Sequence, residues 1–186
     1  MLEIFRKLVG FVINVHANYP KKPSKAYRYW DRKTPYSIHP LWCLTTLLTE
    51  ETLPEKTRFV MAQVLAMHDI REDTTQQLPG WIDDEAADII AEMEYRDTAQ
   101  EMEEIWQKSD LAKLGKLYDK ISNLLDSSWM FKRKGYGYEY FRSRLIYIIK
   151  LTSFVEERFG KLNIVWIARA VIESKQEFLI EKAKGD

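Results

Sequence analysis

Cysteine is almost absent: Cys43 stands alone in 186 residues, which excludes an intramolecular disulfide framework and a multi-thiolate zinc site. A lone thiol suits a reducing compartment, and the cytoplasm is the expected location. Turn residues are scarce as well, with seven glycines and six prolines, too little punctuation for an all-β fold. Net charge is missing, because 28 basic side chains balance 28 acidic ones. Without the positive field of a general nucleic-acid binder, no nucleic-acid partner is expected. Long hydrophobic runs are lacking too. The first 16 residues are rich in apolar side chains, but Glu3, Arg6 and Lys7 interrupt them well short of membrane-spanning length. Neither a signal peptide nor a membrane span is expected.

What is present is apolar side chains recurring at helical spacing, so the chain is expected to be all-α. Hydrophobic residues make up 46% of it, enough to bury a real core. Helices are predicted over residues 1–17, 39–50, 55–70, 83–95, 98–107, 110–126, 137–159 and 161–183. Gly135, Tyr136 and Gly137 read as a flexible connection before the last two helices, and Gly160 as a helix stop. No repeat, low-complexity tract or linker divides residues 1–186, so one helical domain is the economical expectation.

Charge is balanced globally but not locally. From Lys21 to Lys33 six basic residues (Lys21, Lys22, Lys25, Arg28, Arg32, Lys33) meet one acid, Asp31. This loop leads into His39, where it is expected to attract phosphates. Between Ile82 and Glu104 ten acids face only Arg96, a pattern that reads as a solvated helix face. On the last two helices Ile146, Ile149, Phe154, Val165, Trp166, Ile167, Val171 and Ile172 are expected to complete the core, the alternative being a homodimer interface.

Three histidines are available for chemistry. His16, near the end of the first helix, reads as a partly exposed helix-end residue. His68 and Asp69 head the segment HDIREDT, where helical spacing would align His68 with Glu72 and Asp69 with Asp73. These acids follow the apolar run Phe59, Val60, Met61, Val64, Leu65, Met67, at whose edge unpaired carboxylates are costly. A second pair, Asp119 and Asn123, sits amid Leu111, Leu114, Leu117, Ile121, Leu124 and Leu125. A buried Asp119 needs a partner, either a metal or a lysine or arginine. Together His39, His68, Asp69 and Asp119 offer two imidazoles and two carboxylates, a set suited to Mn²⁺, Fe²⁺, Co²⁺ or Zn²⁺. Glu72 or Asp73 would then orient a water or accept its proton.

The order His39, His68-Asp69, Asp119 resembles the HD superfamily of metal-dependent phosphohydrolases. Residues 34–40, TPYSIHP, resemble the TPYxxHP motif of the hydrolase domain in the RelA/SpoT alarmone family, and residues 68–74 its HDxxEDT motif. Residues 112–124, AKLGKLYDKISNL, resemble its KLxKLxDKxxNL pattern. The chain is similar in extent to the small stand-alone hydrolases of that family, the metazoan SpoT homologues among them. The resemblance implies an HD-type helical bundle that hydrolyses guanosine 3′,5′-bis(diphosphate) to GDP and pyrophosphate, with Mn²⁺ as the usual metal. It implies His39, His68, Asp69 and Asp119 as ligands and Glu72 and Asp73 as the groups acting on water. It also implies substrate contacts from Arg28 (on the base), Asn123 (on ribose or phosphate), Tyr140 beside Phe141, and Arg96 (on phosphate).

The motif-bearing part spans about residues 28–125, with residues 137–183 completing the fold. Within it Lys33 replaces a frequent glycine, Arg71 replaces an apolar residue, and the sequence after residue 90 diverges. Tyr136 stands where relatives can carry an arginine, with Arg133 and Lys134 nearby. The metal set is therefore expected to be kept and the substrate pocket altered. Alternatives left open are a phosphatase for a 5′-nucleotide or the 2′-phosphate of NADPH, and a catalytically silent nucleotide sensor.

Overall fold

A computed structural model describes residues 2–125 and 138–183. Its helices are α1 (Leu2–Asn18), α2 (Ile38–Leu47), α3 (Glu55–Met67), α4 (Ile70–Asp73), α5 (Asp84–Glu92), α6 (Thr98–Glu104), α7 (Asp110–Leu125), α8 (Tyr138–Phe159) and α9 (Asn163–Ala183). Among the described residues there is no strand, only isolated β-bridges between Pro20 and Thr74 and between Tyr27 and Pro35. The all-α expectation is met. Gly135, Tyr136, Gly137, Arg133 and Lys134 lie outside the described residues. No helix of the described residues is long and apolar enough to cross a membrane.

α3 and α7 form the centre of the bundle. Every residue of α3 from Val60 to Met67 is buried, the mark of a helix surrounded on all sides. α1, α2, α5 and α7 pack around α3, while α8 and α9 pack on α7 and on each other. α1 contributes a narrower stripe, Leu8, Val12 and Val15, at i, i+4 and i+7. The face of α8 and α9 read as core is mostly that: Val165 and Ile172 are buried and Ile149, Phe154, Ile167 and Val171 pack half-buried against the core, whereas Ile146 and Trp166 are exposed.

Helix ends follow local chemistry. Asp83 and Asp97 accept hydrogen bonds from the amides of Glu85 and Gln100, capping α5 and α6. Gly160 ends α8 with φ of 81°, a left-handed conformation that glycine adopts without Cβ strain. The start of α9 is capped from a distance. Buried Glu50, in the α2–α3 connection, accepts from the amides of Asn163 (2.7 Å) and Ile164 (2.8 Å) and from the Tyr118 hydroxyl (2.8 Å).

One helix boundary departs from the periodicity in a way that shapes the site. The predicted 55–70 helix stops at Met67, and Asp69 turns the chain (φ −96°, ψ −3°) before the single turn α4. His68 and Asp69 therefore sit in a bend, not on two parallel stripes of one helix. The loop after α1 is tied to α4: Lys21 N donates to Asp73 O (3.0 Å) and Thr75 N to Tyr19 O (2.9 Å).

Candidate metal centre and its cavity

The N-terminus of α2, the bend after α3 and the middle of α7 converge on one point. Nε2 of His39 lies 3.2 Å from Nε2 of His68 and 3.3 Å from both Asp69 Oδ2 and Asp119 Oδ1. Nε2 of His68 lies 3.3 Å from Asp69 Oδ2 and 4.0 Å from Asp119 Oδ1. All four residues are buried. One donor atom each from His39, His68 and Asp119 falls within 4.8 Å of the others.

The outer contacts fix the inner ones. Nδ1 of His68 donates to the Leu65 carbonyl (2.9 Å), which only accepts, so Nε2 is the nitrogen that faces the cluster. Burial opposes its charge, but Asp69 and Asp119 raise the pKa of the ring from 6.5 to about 9, and a cation would take the place of that proton on Nε2. Nδ1 of His39 pairs with Ser122 Oγ at 2.8 Å. The Tyr36 hydroxyl donates to Asp69 Oδ2 (2.8 Å), and Asn123 Nδ2 donates to Asp119 Oδ1 (2.6 Å). Inward-facing ring nitrogens, buried carboxylates and oriented partners are the chemistry a divalent cation requires. The residues fit such an ion.

Both carboxylates are held ionised. Burial opposes the charge of Asp119, but Lys120, Lys116, His39 and His68 together keep its carboxyl well below the usual range. Burial likewise opposes the charge of Asp69, and His68 and His39 overcome it. Burial raises the pKa of Glu72, and the charges of Asp69, Asp73 and Asp119 add to it, although its side chain reaches solvent.

Beside the cluster opens a cavity of about 270 Å³. Asp69 and Asp119 of the cluster line it, together with Glu72, Arg96, Asn123, Tyr140 and Phe141. Arg96 is exposed and paired with Asp97 at 3.0 Å. Tyr140 accepts a hydrogen bond from Arg144 (3.1 Å), whose guanidinium lies over its ring.

Several expected residues take other places. Asp73 is buried, ion-paired with Lys25, and absent from the cavity wall. Arg28 is buried too, its guanidinium 5.5 Å above the Tyr36 ring and hydrogen-bonded to Asn123 (3.2 Å), also off the wall. The basic loop thus contributes none of its cations to the wall; of the residues after α1 and before α2, only Tyr36 lines it. His16 is not a partly exposed helix-end residue. It is 1% exposed, with its ring 5.0 Å from that of Tyr36 and neither nitrogen hydrogen-bonded. The motif-based reading missed the cavity's other cations, Lys116, Lys120 and Arg144, and the carboxylate Glu101. For Arg144 a signal existed: it stands four residues after Tyr140, one turn along the same face of α8.

Neither a family model nor a curated protein matches the chain by sequence. By structure the class of fold is plain: the chain is an all-α helical bundle, and that fold is shared with a solved structure. One particular likeness is to the solved structure of a metazoan ortholog of SpoT, described as hydrolyzing ppGpp and playing a role in starvation responses. It matches at a TM-score of 0.63 and 18% identity, over 92% of this chain and 94% of that one.

Proposed function

We propose that the protein is a metal-dependent phosphohydrolase that removes the 3′-diphosphate of guanosine 3′,5′-bis(diphosphate), giving GDP and pyrophosphate. The observation that carries this reading is the His39, His68 and Asp119 cluster, with Asp69 in contact, opening on a cavity that also presents Lys116, Lys120, Arg96 and Arg144. His39, His68, Asp69 and Asp119 hold the cation, with Mn²⁺ as the metal of choice. Such an ion lowers the pKa of water and draws electron density from a phosphoryl oxygen.

The chain's own residues supply the rest. Glu72, on the wall next to Asp69, accepts the proton of the attacking water, and its raised pKa suits a general base better than that of an ordinary carboxylate. Asp73, paired with Lys25, ties the basic loop to α4, the helical turn that carries Glu72. Arg28 orients Asn123, which orients Asp119. Asn123, Tyr140 and Arg96 line the space for the nucleotide.

The test is turnover of guanosine 3′,5′-bis(diphosphate) by the Mn²⁺-loaded protein, with the nucleotide product separated and pyrophosphate and orthophosphate assayed independently. GDP with pyrophosphate is expected. Orthophosphate from a 5′-nucleotide or from the 2′-position of NADPH would replace this substrate with another. Tight nucleotide binding without turnover in any divalent metal would make the protein a sensor.

A further inference from the structure

Glu101 lies in α6, outside all three segments that resemble the alarmone hydrolases, yet only 5% of its surface is exposed. Its Oε2 stands 2.8 Å from Nζ of Lys120 and 3.5 Å from Nζ of Lys116. The same two ammonium groups lie 3.1 Å and 3.3 Å from Oδ2 of Asp119. The other oxygen of Asp119, Oδ1, faces His39. Glu101, Lys116, Asp119 and Lys120 all line the cavity. Two buried cations therefore sit between the candidate metal ligand on one side and a carboxylate of no evident catalytic use on the other.

Of the acids between Ile82 and Glu104, Glu101 is the buried one. A carboxylate placed there for stability alone would be expected to use both oxygens, because a buried acceptor without a donor is costly. The Tyr147 phenol faces this carboxylate, its pKa raised by burial, then by the Glu101 charge and a side-chain contact with Glu101, yet neither Oε1 of Glu101 nor the Tyr147 hydroxyl completes a well-formed hydrogen bond. The helix bearing Glu101 is seven residues long and packs chiefly on the 3-10 turn that follows it, so its hold on the bundle is light. Lysines act toward phosphate as point charges that accept oxyanions from several directions.

We propose that Glu101 is the internal occupant of a phosphate subsite: its carboxylate holds the ammonium groups of Lys116 and Lys120 at the cavity wall until a phosphoryl group of the substrate takes its place. The inference rests on reading the cavity as a site for a phosphorylated nucleotide. Glu101 then sets how much negative charge the pocket admits. Removing its charge makes the subsite permanently receptive to phosphate.

Inorganic pyrophosphate is the probe, titrated calorimetrically into the full chain freed of metal with a chelator, so that no cation competes for it. Glu101→Gln is expected to bind pyrophosphate about tenfold more tightly than the wild type, equivalent to ~1.4 kcal/mol. Adding Lys120→Gln to that variant is expected to abolish the gain. A folded Glu101→Gln protein with wild-type or weaker affinity overturns the proposal. Should the variant not fold, a crystal structure of the wild type with pyrophosphate decides. Pyrophosphate on Lys116 and Lys120 with Glu101 displaced supports the proposal, and an intact Glu101–Lys120 contact with pyrophosphate elsewhere or absent refutes it. None of these arms reads turnover, so a wild type inactive on the alarmone would defeat the functional reading while this comparison is scored separately.

Discussion

His16 offers a sharp test of how the buried site region responds to acid. Its ring is enclosed between α1 and Tyr36 with both nitrogens unpartnered, and its pKa is lowered from 6.5 to about 4. Burial is the main cause; Asp69 opposes it, and His68, His39 and Lys25 reinforce it. A histidine whose folded pKa is depressed favours the native state above its unfolded pKa. That contribution is lost as the pH falls from 6.5 toward 4, because the unfolded chain takes up the proton first. Across the 2.5 units the full effect is about 3 kcal/mol, and about 2.5 kcal/mol of it should be gone by pH 4.5. The perturbation is His16→Phe, which keeps an aromatic ring against Tyr36 but cannot titrate. Urea unfolding of both proteins between pH 7.5 and 4.5 isolates the effect. Any fixed packing cost of the larger ring shifts both ends equally, whereas the stability difference should move in favour of the variant by about 2.5 kcal/mol as the pH falls. A difference that stays constant within about 0.5 kcal/mol would refute the reasoning.

Other outcomes follow from the same geometry. Glu72→Gln is expected to bind Mn²⁺ as the wild type does while losing 10²- to 10⁴-fold in kcat, on the order of a lost general base; calorimetry of the metal alone separates this from a lost ligand. Chelator is expected to lower thermal stability by about 3 kcal/mol relative to protein held at a hundredfold excess over the metal Kd. Asp119→Asn should abolish most of that response, and an unchanged response would remove Asp119 from the ligand set. Glu50→Gln is expected to cost about 2 to 3 kcal/mol, because three donors lose a charged acceptor; thermal unfolding reads it directly, and a neutral result would mean that the cap of α9 carries little energy.

The sequence made the candidate cluster legible because its residues lie in three short segments, and the fold brings His39, His68, Asp69 and Asp119 together. Periodicity also located the helices other than α4, most of their ends to within a residue, although α2, α3, α5 and α6 stop three residues sooner than predicted. What it missed depends on contacts distant in sequence. The bend at Asp69 was invisible because apolar spacing up to Met67 passes smoothly into polar i, i+4 spacing beyond it. His16 read as a partly exposed helix-end residue, but the loop that follows folds back and lays Tyr36 over it. Glu101 shared the composition of a solvated acidic face, and only the position of α7 beside it supplies the lysines that bury it. Arg28 and Asp73 were legible as residues but not in their placement, since each is engaged by a partner from another segment.

Glu50 joins parts of the chain more than a hundred residues apart: a connection between two early helices, a tyrosine on α7 and the first amides of α9. Cutting the protein after α8 would therefore do more than expose an apolar seam. It would strand an anion in the interior, its remaining partner a single phenol that also lies on the helix carrying Asp119. Loss of the last helix therefore reaches, through Glu50 and Tyr118, the helix that carries the proposed ligand Asp119. Engineering of the last helix then bears on the proposed metal centre as well, and a shortened version should be screened for cation affinity before it is screened for yield.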